Sequence, residues 1–199
     1  MTASAALAND DTQYWQFLIL NAAAGKDGRL TFEISPRARA DAVGDEQLLT
    51  RITYDHRLND HVTIGGGSAF VGAVGPDEIR PHQQLILTSG MVEARTRVEE
   101  RFFVGADRMA VRLRQRLQLT VPLARAVRGL ISGEVLYNAR TQNVGMPTGV
   151  DSWRLRTGLQ YRLADQLEVT GSYLLLLSPR GVREDQWSHV PQIMLTWRM

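Results

Sequence analysis

Apolar and polar residues alternate with a period of two along nearly the whole chain, and a helical period is nowhere sustained. In the segment RMAVRLRQRLQLTV at 108–121, one face carries Arg108, Ala110, Arg112, Arg114, Arg116 and Gln118. The other carries Met109, Val111, Leu113, Gln115, Leu117, Leu119 and Val121. Segment 92–102 sets Glu93, Arg95, Arg97, Glu99 and Arg101 against Val92, Ala94, Thr96, Val98 and Phe102, with Glu100 the exception on the second face. Segment 153–163 sets Trp153, Leu155, Leu159, Tyr161 and Leu163 against Arg154, Arg156, Gln160 and Arg162. Alternation at 180° per residue over such lengths specifies half-exposed strands.

Eleven runs follow this rule, at roughly 12–23, 29–40, 47–58, 61–73, 80–89, 92–103, 108–121, 127–139, 150–163, 166–177 and 189–199. Most are about twice as long as the usual globular strand of roughly 5–6 residues. Connections after odd-numbered runs are mostly tight: AGKDG, Asn59-Asp60, the vicinity of Ser89-Gly90, PLARA and Ala164-Asp165. Those after even-numbered runs are mostly longer and rich in Gly, Pro or charge, as in RTQNVGMPTG and SPRGVREDQWS, although VGAD at 104–107 is short. With no linker and no composition break, residues 11–199 read as a single β-barrel domain. Residues 1–10 read as a flexible N-terminus in which Ala6-Leu7-Ala8 fits the pattern before a signal-peptidase cut, a remnant of an export signal.

The chain of 199 residues has no cysteine, which excludes a disulfide scaffold, a thiolate zinc site and a cysteine nucleophile. Its formal net charge of +2 does not suggest a nucleic-acid binder. No window supplies the roughly 18 consecutive apolar residues of a membrane-spanning helix, so a membrane could be crossed only by strands.

Alternation alone does not say which face points out. A soluble barrel lines its interior with the apolar face, whereas an outer-membrane barrel turns that face to lipid and the polar face to its lumen. Three features favour the second. The runs match the roughly 9–11 tilted residues that cross a bilayer, and short turns alternate with long loops. Aromatic residues also sit mostly on the apolar face near run ends: Trp15, Tyr54, Phe70, Phe102, Tyr137, Trp153, Tyr161, Tyr173 and Trp197. Such positions suit interfacial girdles. The last run, PQIMLTWRM, alternates like a C-terminal barrel-assembly signal but ends on Met199 in place of an aromatic residue.

The expected fold is therefore an all-β, antiparallel transmembrane barrel of 10–12 strands with short periplasmic turns and longer extracellular loops. The count carries a conflict. Bacterial single-chain barrels have even strand numbers, yet an eleventh run ending in the periplasm sends the first run down from outside. The first run, continuously apolar at FLIL, thus either plugs the barrel, closes it in parallel with the last run, or has an undetected neighbour.

Of 23 basic residues only Lys26 is lysine, and the rest are arginine. A guanidinium is planar with five donors and can bridge carboxylates on neighbouring strands where lysine holds one. The polar faces predict a lumenal charge network of Glu33, Arg51, Asp55, Glu93, Arg95, Arg97, Glu99, Arg101, Arg112, Arg114, Arg116, Glu134, Arg154, Arg156, Arg162 and Glu168. Within it Arg114 is expected to reach Glu99 or Glu134. Two readings compete: a salt-bridged lumen that stiffens a small barrel, and a basic constriction that favours anions.

The histidines His56, His61, His82 and His189 do not form a catalytic arrangement. Ser188 and His189 are adjacent on a strand and point to opposite faces. His82 with Asp77 or Glu78 has no distinctive metal-ligand spacing. Gly65-Gly66-Gly67 precedes neither a helix nor a lysine and so is no phosphate loop; it reads as relief for strand curvature or for a bulky lumenal arginine. The expectation is a non-enzyme with no catalytic, cofactor or metal residues and no cofactor.

The segments RVEERF at 97–102, RMAVRLRQRLQLTVPL, GEVLYN at 133–138 and WRLRTGLQYRL at 153–163, with the opening YWQF, together resemble the bacterial "domain of unknown function 2490" family. That resemblance implies an exported outer-membrane β-barrel with no established activity and brings no catalytic residues. The function expected is structural or channel-like, with outer-membrane lipids and the barrel assembly machinery as partners and no nucleic acid. A surface hydrolase and a soluble periplasmic ligand-binding barrel are the alternatives.

Overall fold

The computed structural model describes residues 10–39, 46–73, 75–181 and 184–199. The chain folds into β1 (Asp10–Thr12), β2 (Tyr14–Ala23), β3 (Gly28–Ala38), β4 (Gln47–Arg57), β5 (Val62–Ala73), β6 (Glu78–Ser89), β7 (Val92–Phe103), β8 (Ala110–Ala124), β9 (Val127–Arg140), β10 (Gly149–Arg162), β11 (Leu167–Ser178) and β12 (Gln186–Arg198). No helix occurs among the described residues. Each strand from β2 to β12 pairs antiparallel with its sequence neighbour, and β12 closes the sheet onto β2.

That closure is parallel. Thr12 lies opposite His189, Trp15 opposite Gln192 and Asn21 opposite Arg198, so β1 and β2 follow β12 at one constant offset. They are one track interrupted at Gln13, whose amide donates to the His189 carbonyl at 2.9 Å. The wall thus has eleven long strands, and the first run closes it, one of the outcomes that the sequence left open. The odd count departs from the even number usual for bacterial barrels. It forces both chain ends of the seam to run the same way, from the long-loop rim to the short-turn rim.

Short connections gather at one rim, and two of them are two-residue hairpins. Gly90 precedes Met91 between β6 and β7 with φ +57°, the left-handed conformation such turns require. The β8–β9 turn is tighter than the expected PLARA, because β8 continues through Pro122–Ala124 over a register shift and leaves only Arg125-Ala126 to turn. The longer connections gather at the opposite rim. The expected export remnant falls on residues 1–9, outside the described set, whereas Asp10 belongs to β1 and not to a flexible lead.

Outward side chains form an apolar band that includes Leu18, Phe32, Ile52, Ile64, Leu85, Leu117, Leu155 and Leu195, all exposed. A band this continuous exceeds what a water-soluble monomer presents, and it matches the lipid face of a membrane barrel. Two aromatic girdles bound it. Tyr14, Phe70, Phe102, Tyr137, Trp153 and Trp187 face outward toward the long-loop rim, and Tyr54, Tyr161 and Trp197 toward the short-turn rim.

Two expected girdle residues depart: Tyr173 faces outward but at the middle of β11, and Trp15 is only 5% exposed and points inward. Run 1 is apolar on both faces at FLIL, so its alternation could not fix parity. Hydrogen bonding does, since Asp11 and Gln13 form an inward polar chain that continues to the Trp15 Nε1, which donates to Gln13 Oε1 at 3.0 Å.

Gly65 and Gly67 admit β4, not an arginine. A Cβ at Gly67 would lie 2.0 Å from the Ile52 carbonyl oxygen, and one at Gly65 would lie 2.1 Å from Asp55 Oδ1. The glycine run therefore lets β4 and β5 approach closely and leaves the Asp55 carboxylate room on the lumenal side.

Candidate functional site: the arginine lumen

The register builds the lumen. Across β7 and β8, Arg95 lies opposite Arg116 and Arg97 opposite Arg114, while Glu99 lies opposite Arg112. Like charges directly opposite each other destabilise a sheet. Here the acids compensate diagonally. Glu99 Oε2 accepts from Arg112 Nε at 2.9 Å and Nη2 at 2.7 Å, and its Oε1 accepts from Arg114 Nη1 at 2.8 Å. Glu134 accepts from Arg114 Nη2 at 2.8 Å and from Arg95 Nη2 at 2.9 Å, with Arg154 Nη1 at 3.6 Å. Arg114 therefore bridges both acids that the sequence offered as alternatives, and Arg97 completes the belt 3.9 Å from Glu99.

Around this belt lie smaller pairs. Arg51 donates to Glu33 at 3.1 Å and Arg116 donates to Glu93. Arg101 donates to Glu78 at 2.6 Å. Asp55 takes Gln84 Nε2 at 2.6 Å and Arg29 Nη2 at 3.1 Å. Arg97 in turn donates to Gln84 Oε1 at 2.6 Å, so Gln84 relays Asp55 to the belt. Among the described residues Arg156 donates to an amide oxygen, that of Gln118, at 3.2 Å, and forms no ion pair.

Two expected members stand apart. Arg162 has lumenal parity but lies exposed at the short-turn rim, with no ion pair among the described residues. Glu168 faces it in register but binds Arg128 and Arg198 instead. Arg162 is solvated at the rim, whereas Glu168 is buried and already held by Arg128 and Arg198, so parity alone does not draw either into the belt.

Glu78, Arg80 and Arg37 are lumenal residues that the sequence reading missed. Glu78 accepts two bonds from Arg80, at 2.8 and 2.7 Å, besides those from Arg101. The signal was present in EIRPHQQ, where Glu78, Arg80, His82 and Gln84 share one face. A run beginning at residue 80 excludes Glu78, whereas β6 begins at Glu78 itself. His82 is buried within this wall, its Nε2 3.3 Å from Thr53 Oγ1. His189 faces outward beside Tyr173, whose hydroxyl it meets, while Ser188 faces the lumen.

These walls enclose a cavity of about 680 Å³ that runs from Glu78 and Ser178 near the long-loop rim to Gln118 and Met194. Eleven arginines and four glutamates line it. The chain's net charge is +2, so positive charge is strongly concentrated here. The Nε–H groups of Arg51, Arg95, Arg116, Arg154 and Arg156 are buried without a hydrogen-bond partner among the described residues. The lumen thus offers more donors than its acids accept. A low-dielectric wall focuses such a field on the cavity.

The wall is not polar throughout. Trp15, Leu174, Leu176 and Val190 form a buried apolar cluster with Phe17 packed against it. The Arg37 guanidinium lies 4.1 Å from the Trp15 ring centroid and that of Arg154 lies 5.7 Å away, both within cation–π range.

A family model described as "Protein of unknown function (DUF2490)" matches residues 12–186. No curated protein matches the chain. Among solved structures, a NanC porin in a rhombohedral crystal form superposes with a TM-score of 0.58 at 10% identity, covering 82% of this chain and 85% of that one. A KdgM porin superposes with a TM-score of 0.53 at 11% identity, covering 82% and 89%. A KdgM porin in complex with disordered oligogalacturonate gives 0.52 at 12% identity, covering 79% and 81%. At these identities the likeness is one of fold: a porin-type barrel.

Proposed function

Because the chain belongs to the family of proteins of unknown function DUF2490, which assigns it no activity, we propose from its lumen that it is an outer-membrane channel that favours anions. One observation carries this reading: eleven arginines against four glutamates around a single cavity of about 680 Å³. Rings of Arg that outnumber their acids raise the local concentration of anions and oppose cations. The Glu99 and Glu134 belt is the scaffold of the lumen, holding the arginines of β7, β8 and β10 in fixed positions. The arginines in excess of these acids line the cavity. In this reading the short turns are periplasmic, the long loops extracellular, and the apolar band sits in lipid after insertion by the barrel assembly machinery. The KdgM porin solved with oligogalacturonate supports the analogy, since that solute is acidic.

Solute uptake into proteoliposomes tests it. Small organic anions should enter faster than cations of equal size. Equal rates, or faster cation entry, would overturn the proposal.

A further inference from the structure

A porin lumen is ordinarily polar on all sides. Here one side carries an apolar stretch among the polar residues Ser178, Gln186, Ser188 and Gln192. In the closed order of strands, β11, β12 and β2 contribute Trp15, Phe17, Leu174, Leu176 and Met194 to the cavity, while β7, β8 and β10 contribute most of its arginines. The two halves meet at Trp15, whose ring has Arg154 5.7 Å away on one border and Arg37 at 4.1 Å on the other. The ring is held in place, since its Nε1 donates to Gln13, which itself donates to Asp11 at 2.8 Å. The one ion pair of Arg154 among the described residues is with Glu134 at 3.6 Å, longer than a hydrogen bond. A guanidinium with free donor capacity therefore stands beside an oriented aromatic plane that opens onto an aliphatic wall.

We infer that the lumen selects amphipathic organic anions, with a carboxylate or similar head at Arg154 and Arg37 and an alkyl or aryl body along Trp15, Phe17, Leu174 and Leu176. The inference rests on the reading of the lumen as an anion path and narrows it. An anion without an apolar body gains nothing from the β11–β12–β2 side. A neutral apolar molecule leaves the arginines unserved, and desolvating them without a counter-charge is costly.

Trp15 is the single tryptophan of the lumen; Trp153, Trp187 and Trp197 face outward. Substituting Trp153→Phe, Trp187→Phe and Trp197→Phe therefore leaves one lumenal fluorophore. Titration of that protein in detergent with sodium hexanoate, sodium acetate and hexanol is the test. Hexanoate should shift Trp15 emission saturably at concentrations at least about tenfold below acetate, as burial of its extra methylenes requires, and hexanol should not. Equal potency of hexanoate and acetate, or a hexanol response matching hexanoate, would overturn the inference. Should the triple variant fail to fold, the same ranking is read in the native protein as inhibition of anion uptake by the three compounds. Anion-selective uptake together with equal potency of hexanoate and acetate removes this inference and leaves the channel reading intact. A hexanoate response in a protein that admits cations as fast as anions does the reverse.

Discussion

Arg114 grips Glu134 through both Nη2, at 2.8 Å, and Nε, at 3.2 Å, although the β8–β9 register sets Arg114 opposite Leu136 and gives Glu134 to Arg116. The long guanidinium stem crosses the diagonal that the strand pairing leaves open. Arg116 pairs with Glu93 instead, so each of the cations set opposite Arg95 and Arg97 has an acid of its own.

Removing that bridge should be expensive. Arg114→Leu leaves Glu134 and the 1%-exposed Glu99 each short of a buried counter-charge. A loss of about 3–5 kcal/mol is expected for breaking a desolvated pair. Denaturant unfolding in micelles measures it, and an unchanged midpoint would show that the belt does not stabilise the barrel.

The β4–β5 contact depends on glycine at residue 67. Gly67→Ala places a Cβ against the Ile52 carbonyl, whereas Gly171→Ala meets nothing within 4 Å. The first should lower the yield of heat-modifiable folded barrel sharply, and the second should leave it near the native level. Equal yields would mean that β4 can shift without cost.

The apolar band should respond to charge by depth. Leu117 lies at the middle of β8 and Leu123 near the short-turn rim, both exposed. Leu117→Arg should cost about 2–4 kcal/mol and Leu123→Arg about 0–1 kcal/mol in lipid. Reversed costs would misplace the bilayer. The same band predicts that the native protein leaves membranes only with detergent, and full recovery in plain buffer would contradict a lipid-facing surface.

The parallel seam is open to a direct check because the chain has no cysteine. Leu18 and Leu195 are register partners across β2 and β12. A Leu18→Cys, Leu195→Cys variant should form an intramolecular disulfide on oxidation and migrate as a closed circle. Leu18→Cys paired with Ile64→Cys, three strands further around the wall, should not. Cross-linking of neither or both would remove the parallel closure.

Much of this barrel was legible as alternation. Arg112, Arg114 and Arg116 against Leu113, Gln115 and Leu117 gave the face of β8 and its partners without any structure, because one period of two has one lumenal parity. Trp15 was not legible, since the FLIL that follows it at 17–20 is apolar on both faces and only the offset to β12 and the Asp11–Gln13 chain decide its parity. The exclusion of Arg162 and Glu168 was hidden for another reason: parity says which way a side chain points but not which partner reaches it, and near the short-turn rim Glu168 is held by Arg128 and Arg198 while Arg162 stays exposed. The apolar side of the lumen followed from the same ambiguity, as Leu174 and Leu176 sit within the uninterrupted LLLL of β11.

The central claim is that the arginine surplus governs what passes. Reversal potential in planar bilayers under a potassium chloride gradient measures this most directly, with Arg156→Gln as the companion because Arg156 bonds the Gln118 oxygen and forms no ion pair among the described residues. The native channel should reverse near the chloride equilibrium potential, and Arg156→Gln should move it measurably toward zero. A native reversal potential at zero or toward the potassium equilibrium potential would contradict the account.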